Sequence, residues 1–319
     1  PALIGNFEDL LYNVTTSWAM IHNLDNSKSV GPDSKSALNK KQRGKTSSIN
    51  ENHARELMEL HSISPKAAYN QRDVVELTYL MTGWRHPHSK KRLEANPVIF
   101  EKKFHQPGSF TILGKTYDQE DDGEGMLRKV IKDLATHPEC KKFITTKLCK
   151  HFITERVTSE MINPIIMAWN ISNGSLPVIH EALLKQVFLY ANKYNNFQLP
   201  ENWLLQVFNM WGMSWPSSPT DMTSSLGFKP DQKIRIGKRI LRQLGHIPFR
   251  ARQPNGFSDS EADWISPELL FRRIGLLNKL AYKSKKVGLI PRLSKKELND
   301  VVSKNFHNTT EIMQLINKV

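Results

Sequence analysis

Apolar positions recur at three and four residues along most of the chain, the period of an amphipathic α-helix. Leu10, Leu11, Val14, Trp18 and Ile21 share one face and predict a first helix over 10–23. Val74, Val75, Leu77, Leu80 and Met81 predict another over 71–82, with Gly83 as its stop. Met126, Leu127, Val130, Ile131 and Leu134 mark a core helix, and Phe143, Ile144, Leu148 and Phe152 mark the next, with His137-Pro138 between them. Further helices are expected at about 159–171, 176–192 and 201–212, then at 231–244, 267–280 and 295–317. Between His86 and Asp122 the pattern breaks into Pro, Gly and short β-like runs such as Phe110-Thr111-Ile112-Leu113. The predicted fold is therefore mainly α, a multi-helix globular fold with long loops and at most a small β-hairpin near 98–118. The polar, basic stretch from Asp25 to Ser48 reads as a loop longer than ordinary connectors, a length that goes with function or mobility.

One helix stands apart. Asn50-Glu51-Asn52-His53-Ala54-Arg55-Glu56-Leu57-Met58-Glu59-Leu60-His61 sets carboxylates, an arginine, amides and imidazoles on about three turns. Glu51, Asn52, Arg55, Glu56 and Glu59 fill one arc, opposite Ala54, Leu57, Met58, Leu60 and His61. Ser48 or Asn50 is available as its cap. Glu51, Arg55 and Glu59 are i,i+4 neighbours, so the plainest reading is a surface ion-pair ladder of about 0.2–0.5 kcal/mol per pair. The functional reading has Asn52, Glu56 and Glu59 projecting oxygens into a cleft, where two carboxylates serve as acid and base. His53 and Glu56 have the i,i+3 spacing of helix-bundle metal sites, but no second Glu-x-x-His exists to complete one, so no metal is predicted.

The chain has 319 residues, is 39% hydrophobic and carries a net charge of +14. That balance favours acidic partners. Lys35, Lys40, Lys41, Arg43 and Lys45 form one basic group, Lys229, Lys233, Arg235, Lys238, Arg239 and Arg242 a second, and Lys283, Lys285, Lys286, Arg292, Lys295 and Lys296 a third. None carries a helix-turn-helix, zinc-finger or aromatic stacking signature, so nucleic acid is the lesser expectation. No run approaches the ~20 apolar residues of a membrane span. Cys140 and Cys149 are read as packed thiols, too far apart on one helix for a bridge. Nucleophile elbows, phosphate-binding glycine loops, dinucleotide fingerprints and zinc helices are not found.

Several blocks in order carry a family resemblance. Trp18-Ala19-Met20 leads into Leu24-Asp25-Asn26, and Asn50 to His61 follows. Next come Asp73-Val74-Val75-Glu76 with Leu80-Met81-Thr82-Gly83-Trp84-Arg85, Phe104-His105 with Leu113-Gly114-Lys115, and His137-Pro138 with Lys147-Leu148. Leu244-Gly245, Pro254-Asn255-Gly256-Phe257, Trp264-Ile265-Ser266 and Arg273 close the series. Together they resemble the bacterial family catalogued as DUF 1800. The resemblance covers about 1–280 as one helical domain and leaves 281–319 as a basic helical extension. It implies a periplasmic or secreted setting and, in family members, a further tryptophan- and histidine-bearing stretch ahead of the point matching Pro1. It implies no reaction and no cofactor. Gln106 stands where the family pattern leads one to expect an aspartate.

The candidate site assembled from these blocks has Glu56, Glu59 and His105 as catalytic groups. Asp25, Asn26, Asn50, Asn52, Arg55, Trp84 and Arg85 are its binding groups. Each has a plainer alternative: Asp25-Asn26 as an Asx turn, Trp84 as a packed anchor, Arg85 as its salt-bridged neighbour. Two function classes stay open, with nucleic-acid or polyanion binding through the basic patches as a third. One is a binding or assembly protein for an anionic polymer or a partner protein. The other is a carboxylate-dependent hydrolase of a glycan or cell-wall polymer, with Trp84 stacked on a sugar ring.

Overall fold

The computed structural model describes residues 4–87, 97–118, 123–193, 197–210, 240–247, 250–251, 255–258 and 260–286. The chain divides into two compact units, Pro1–Asn196 and Phe197–Val319. The expected helix at 295–317, most of that at 231–244 and the extension beyond 286 lie outside the described residues.

The N-terminal unit contains α1 (Phe7–Thr15), α2 (Trp18–Asn23), α3 (Lys35–Gln42), α4 (Asn52–Glu59), α5 (Gln71–Met81), α6 (Gly123–Thr136), α7 (Pro138–Phe152), α8 (Ser159–Ile171) and α9 (Leu176–Tyr190). Two antiparallel strand pairs interrupt them: β1 (Trp84–Arg85) with β2 (Ile99–Phe100), and β3 (Phe110–Ile112) with β4 (Lys115–Tyr117). The mainly helical expectation holds, with the second pair at the predicted hairpin.

Where elements differ from expectation, local hydrogen bonding decides. The predicted helix 10–23 is two helices, because Ser17 caps α2 through Oγ on the Met20 N–H and the Thr16 hydroxyl donates to Tyr12 O at 2.9 Å. The predicted loop 25–48 contains a 3₁₀ turn, Asn26–Lys28, and the helix α3. Periodicity missed α3 because its buried face is little more than Ala37; Ser34 Oγ caps it, 3.2 Å from the Ala37 N–H. At the start of α5, Asn70 and Asp73 form a reciprocal capping box. The other Asp73 oxygen accepts the Leu113 N–H at 2.7 Å and ties the helix to the β3–β4 turn. Gly83 ends the α5 segment at φ 97°, a conformation that leaves its Cα hydrogen facing Phe100 and the Glu101 carbonyl.

One core joins α1, α4, α5, α6, α7, α8 and α9, with Leu57, Met58, Leu77, Leu80, Met126, Leu127 and Ile131 fully buried. The chain start is held by Phe7 N–H on Gly174 O and Leu176 N–H on Gly5 O, both at 2.9 Å. Cys140 and Cys149 are free and buried. In the C-terminal unit, α10 (Pro200–Met210), a helical stretch at 240–243 and α11 (Pro267–Lys286) share a smaller core of Leu204, Val207, Ile240, Leu241, Leu244 and Leu276. Among the described residues no helix is long and apolar enough to cross a membrane.

Candidate functional site

The signature helix is α4. Its start is fixed by Asn50, whose Oδ1 accepts the Asn52 N–H at 3.0 Å, while the Asn50 N–H donates to Ser29 Oγ. Arg55 sits at the centre of a polar network. It donates to Glu51 at 2.9 Å, Glu59 at 3.3 Å and the Gln71 side-chain carbonyl at 2.9 Å. Gln71 Nε2 donates in turn to Glu51 at 2.8 Å, and the Tyr69 hydroxyl donates to Glu59 in a short contact. Glu51, Arg55 and Glu59 are thus paired, yet their side chains keep 31%, 35% and 21% of their surface, so the network is satisfied without being sealed. Tyr69 and Gln71 lie past the end of the helix, and no spacing rule reaches them.

Glu56 lies outside this network. Among the described residues its carboxylate makes no hydrogen bond, and its pKa is raised, first by partial burial and then by Glu59, against the opposing pull of Arg55. Beneath it, His53 is fully buried with neither ring nitrogen partnered, and burial, helped by His61, pushes its pKa down to about 3. His53 is a neutral core imidazole on α4. No group of three or more His, Cys, Asp or Glu able to hold a metal exists among the described residues.

The other predicted residues form a second neighbourhood around the 3₁₀ turn, β1 and the loop before β3. Asn26 is buried and donates through Nδ2 to Met81 O at 3.1 Å and Trp84 O at 2.9 Å, clipping its turn to the end of α5. Asp25 adopts a left-handed backbone and pairs with Lys28 at 2.8 Å. Trp84 is buried, its ring against Tyr12 and Phe100, and its Nε1 has no partner. His105 is buried between Phe100 and Phe110, and Nδ1–H donates to Thr82 O at 2.8 Å, which leaves Nε2 as a buried lone pair. Burial and Lys102 lower its pKa, against the pull of the Thr82 hydrogen bond. Trp84 and His105 are thus enclosed by protein rings, away from solvent.

Arg85 is different. Its guanidinium lies over Phe104, 3.8 Å from the ring centroid, makes no hydrogen bond among the described residues and keeps a buried Nε; burial lowers its pKa against the pull of Glu101. Phe104 also packs with Val30 and Ala37, so it joins β1 to α3. α3 lies on the 3₁₀ turn Lys102–Phe104. Arg85 and Lys103, the latter 4.9 Å from the centroid and paired with Glu101 at 3.1 Å, lie over the Phe104 ring, and α3, packed on the same turn, carries Lys35, Lys40 and Lys41, with Arg43 and Lys45 following it. Between Asn26 and Asn50 the single carboxylate is Asp33. Asp33 is held by Gln106, whose Nε2 donates to Oδ2 at 2.9 Å and whose Oε1 accepts the Asp33 N–H at 2.9 Å. A few residues away, Trp18, His22 and His86 cluster, with centroids 4.6 Å apart for Trp18–His22 and 5.4 Å for His22–His86, and Trp18 is 42% exposed. Sequence reading passed over His22 and His86, since only tertiary contact between α2 and β1 brings them together.

The sequence pattern of the family described as "Protein of unknown function (DUF1800)" matches residues 1–317. The chain belongs to the DUF1800 family. No curated protein and no solved structure matches it. Within this DUF1800 chain, the Gln106 departure noted in the sequence now has a local role. An amide can donate to Asp33 and accept from its backbone together, which a carboxylate cannot. The Gln106 N–H also donates to Thr82 Oγ1 at 2.8 Å, and Gly31 meets the Gln106 backbone so closely that a Cβ there would lie 2.6 Å from its Cα. The basic face is therefore held on a backbone-to-backbone contact.

Proposed function

We propose that this DUF1800 chain is a binding protein for an anionic polymer, which it takes on the basic face of α3, the Lys102–Phe104 turn and Arg85. The observation that carries the reading is the packing of α3 on Phe104. It sets the lysines of α3, which have no ion-pair partner among the described residues, on the turn beside Arg85, where Lys103 alone is paired, with Glu101 at 3.1 Å. The exposed Trp18 ring nearby offers a flat surface to a sugar, which favours an acidic glycan over nucleic acid. An exported or envelope setting belongs to the same proposal and rests on family resemblance.

The test is titration of the full chain with a soluble polyuronate and, separately, with single-stranded DNA over a range of salt. The expected result is tighter binding to the polyuronate, falling linearly in log–log form with salt as counterions are released. The triple substitution K40Q/K41Q/R43Q is expected to make that slope shallower by about one unit per cation. Absence of binding to both polymers at low salt overturns the proposal; preference for DNA transfers it to nucleic acid.

A second reading, a carboxylate-dependent glycan hydrolase, draws support from Glu56 alone, the one α4 carboxylate with a raised pKa and no partner. Glu59 is committed to Arg55 and Tyr69. Under this reading Glu56→Gln abolishes hydrolysis of cell-wall glycans while leaving the fold intact; unchanged turnover in that variant removes it.

A further inference from the structure

The C-terminal unit holds an arginine in a setting that ordinary folds avoid. Arg273, on α11, is 6% exposed. Its guanidinium lies 4.4 Å from the centroid of Phe197 and 5.3 Å from that of Trp203. Nη2 donates to the Gln198 carbonyl at 2.7 Å, while Nε is buried with no hydrogen-bond partner among the described residues. No carboxylate pairs with Arg273 among the described residues. Glu261 is tied to the same segment by accepting the Phe197 N–H at 2.9 Å. Burial alone pulls the Arg273 pKa down to about 10, so at neutral pH it stays charged. The adjacent Arg272 shows the ordinary arrangement: half-exposed, paired with Glu268 and donating to Gln243 O.

Among the described residues, two aromatic rings and one carbonyl are partial compensation for a full buried charge, which is ordinarily matched by an anion or left in water. Both rings lie within cation–π distance of the guanidinium, and its N–H groups point outward along its edge. A buried guanidinium edge with an unused Nε–H and an intact positive charge matches an oxyanion in planar, two-point fashion. We propose that Arg273 is the anchor of an oxyanion-binding site in the C-terminal unit, accepting a carboxylate or a phosphate group on the Nε edge between Phe197 and Trp203. The site rests on none of the residues of the N-terminal basic face.

The test uses the full chain, with sodium phosphate and sodium acetate as probes in otherwise low-salt buffer. The arginine Nε–H resonances and the melting temperature are followed together, in wild type, R273Q and R272Q. Expected is a saturable shift of the Arg273 Nε–H resonance with at least one probe, and a rise in melting temperature shared by wild type and R272Q. In R273Q that rise disappears, with binding weakened about tenfold or more. A response to acetate alone identifies a carboxylate ligand, a response to phosphate alone a phosphate ligand, and either supports the site. An Arg273 Nε–H that stays unmoved by both probes overturns it, because the guanidinium is then a structural strut stacked on two rings. Since that resonance is read in wild type, the proposal remains falsifiable even where R273Q fails to fold.

Discussion

His53 and Glu56 sit three residues apart on α4 and respond to burial in opposite senses. His53 is a base held neutral in the core with two unpartnered nitrogens, an arrangement that costs about 1–3 kcal/mol per unsatisfied group. His53→Leu is therefore expected to raise stability at pH 7, read from urea unfolding; a loss above 1 kcal/mol would mean that the imidazole has a partner. The pH dependence follows from the same burial. The folded pKa is about 3 against 6.5 unfolded, so the unfolded chain binds the extra proton and stability falls as pH drops from 6.5 towards 3. The slope approaches about 1.4 kcal/mol per pH unit for this one group, and His53→Leu removes that share. His61 and His105, also lowered by burial, keep the remainder. Glu56 has the opposite sign. Its raised pKa makes its contribution largest below 4.5 and lost as pH rises through the folded value, so Glu56→Gln flattens that part of the profile. Potentiometric or NMR titration of the two variants separates these effects.

At the scale of elements, α3 shows how far a helix can depend on its surroundings. It is an eight-residue helix with a strongly polar sequence, short of the length at which isolated helices persist in water. Ser34 caps it, Ala37 and Phe104 pack under it, and Gln106 fixes the Asp33 entry to it. Gln106→Asp is expected to cost about 1–3 kcal/mol, since the new carboxylate cannot donate to Asp33 and repels it. It should also weaken polyanion binding by loosening α3, as hydrogen exchange of the 35–42 amides would report. Unchanged exchange would show that α3 stands without this link. Gly31→Ala is expected to act in the same direction through its clash with the Gln106 backbone. The sequence showed α5, α6 and α8 because each buries an apolar stripe, and α7 and α9 by their period, although α7 buries Cys140, Thr145 and Cys149 and leaves Phe152 of its expected core face exposed. It hid α3, whose apolar face is supplied by Phe104 from another part of the chain. The candidate site divides along the same line. Glu51, Arg55 and Glu59 were readable as i,i+4 partners, whereas Tyr69, Gln71, Gln106, His22 and His86 enter through contacts that no local spacing encodes.

For the molecule as a whole, the contact pattern separates Pro1–Asn196 from Phe197–Val319, and each part has its own core. The first unit holds the signature helix, the basic face and the larger core. A fragment of 1–196 is expected to fold alone with a cooperative thermal transition and to retain the polyuronate affinity of the full chain within a few-fold. A fragment that is molten, or that binds no polymer, would place the binding face under the control of the second unit. The full-length family match binds both units into one DUF1800 chain despite that division. By itself, the sequence determined the helical class, the main helix boundaries, the amphipathic signature helix and the family, because helical periodicity, capping residues and ordered motifs are local properties of the chain. The tertiary structure alone decided that Glu51 and Glu59 are tied into a network, that His53, Trp84 and His105 are enclosed, and that Arg85 and Arg273 each bury an Nε with no partner among the described residues. Burial and partnership depend on residues distant in sequence, and those set the local dielectric, the pKa and the free hydrogen bonds from which function is read.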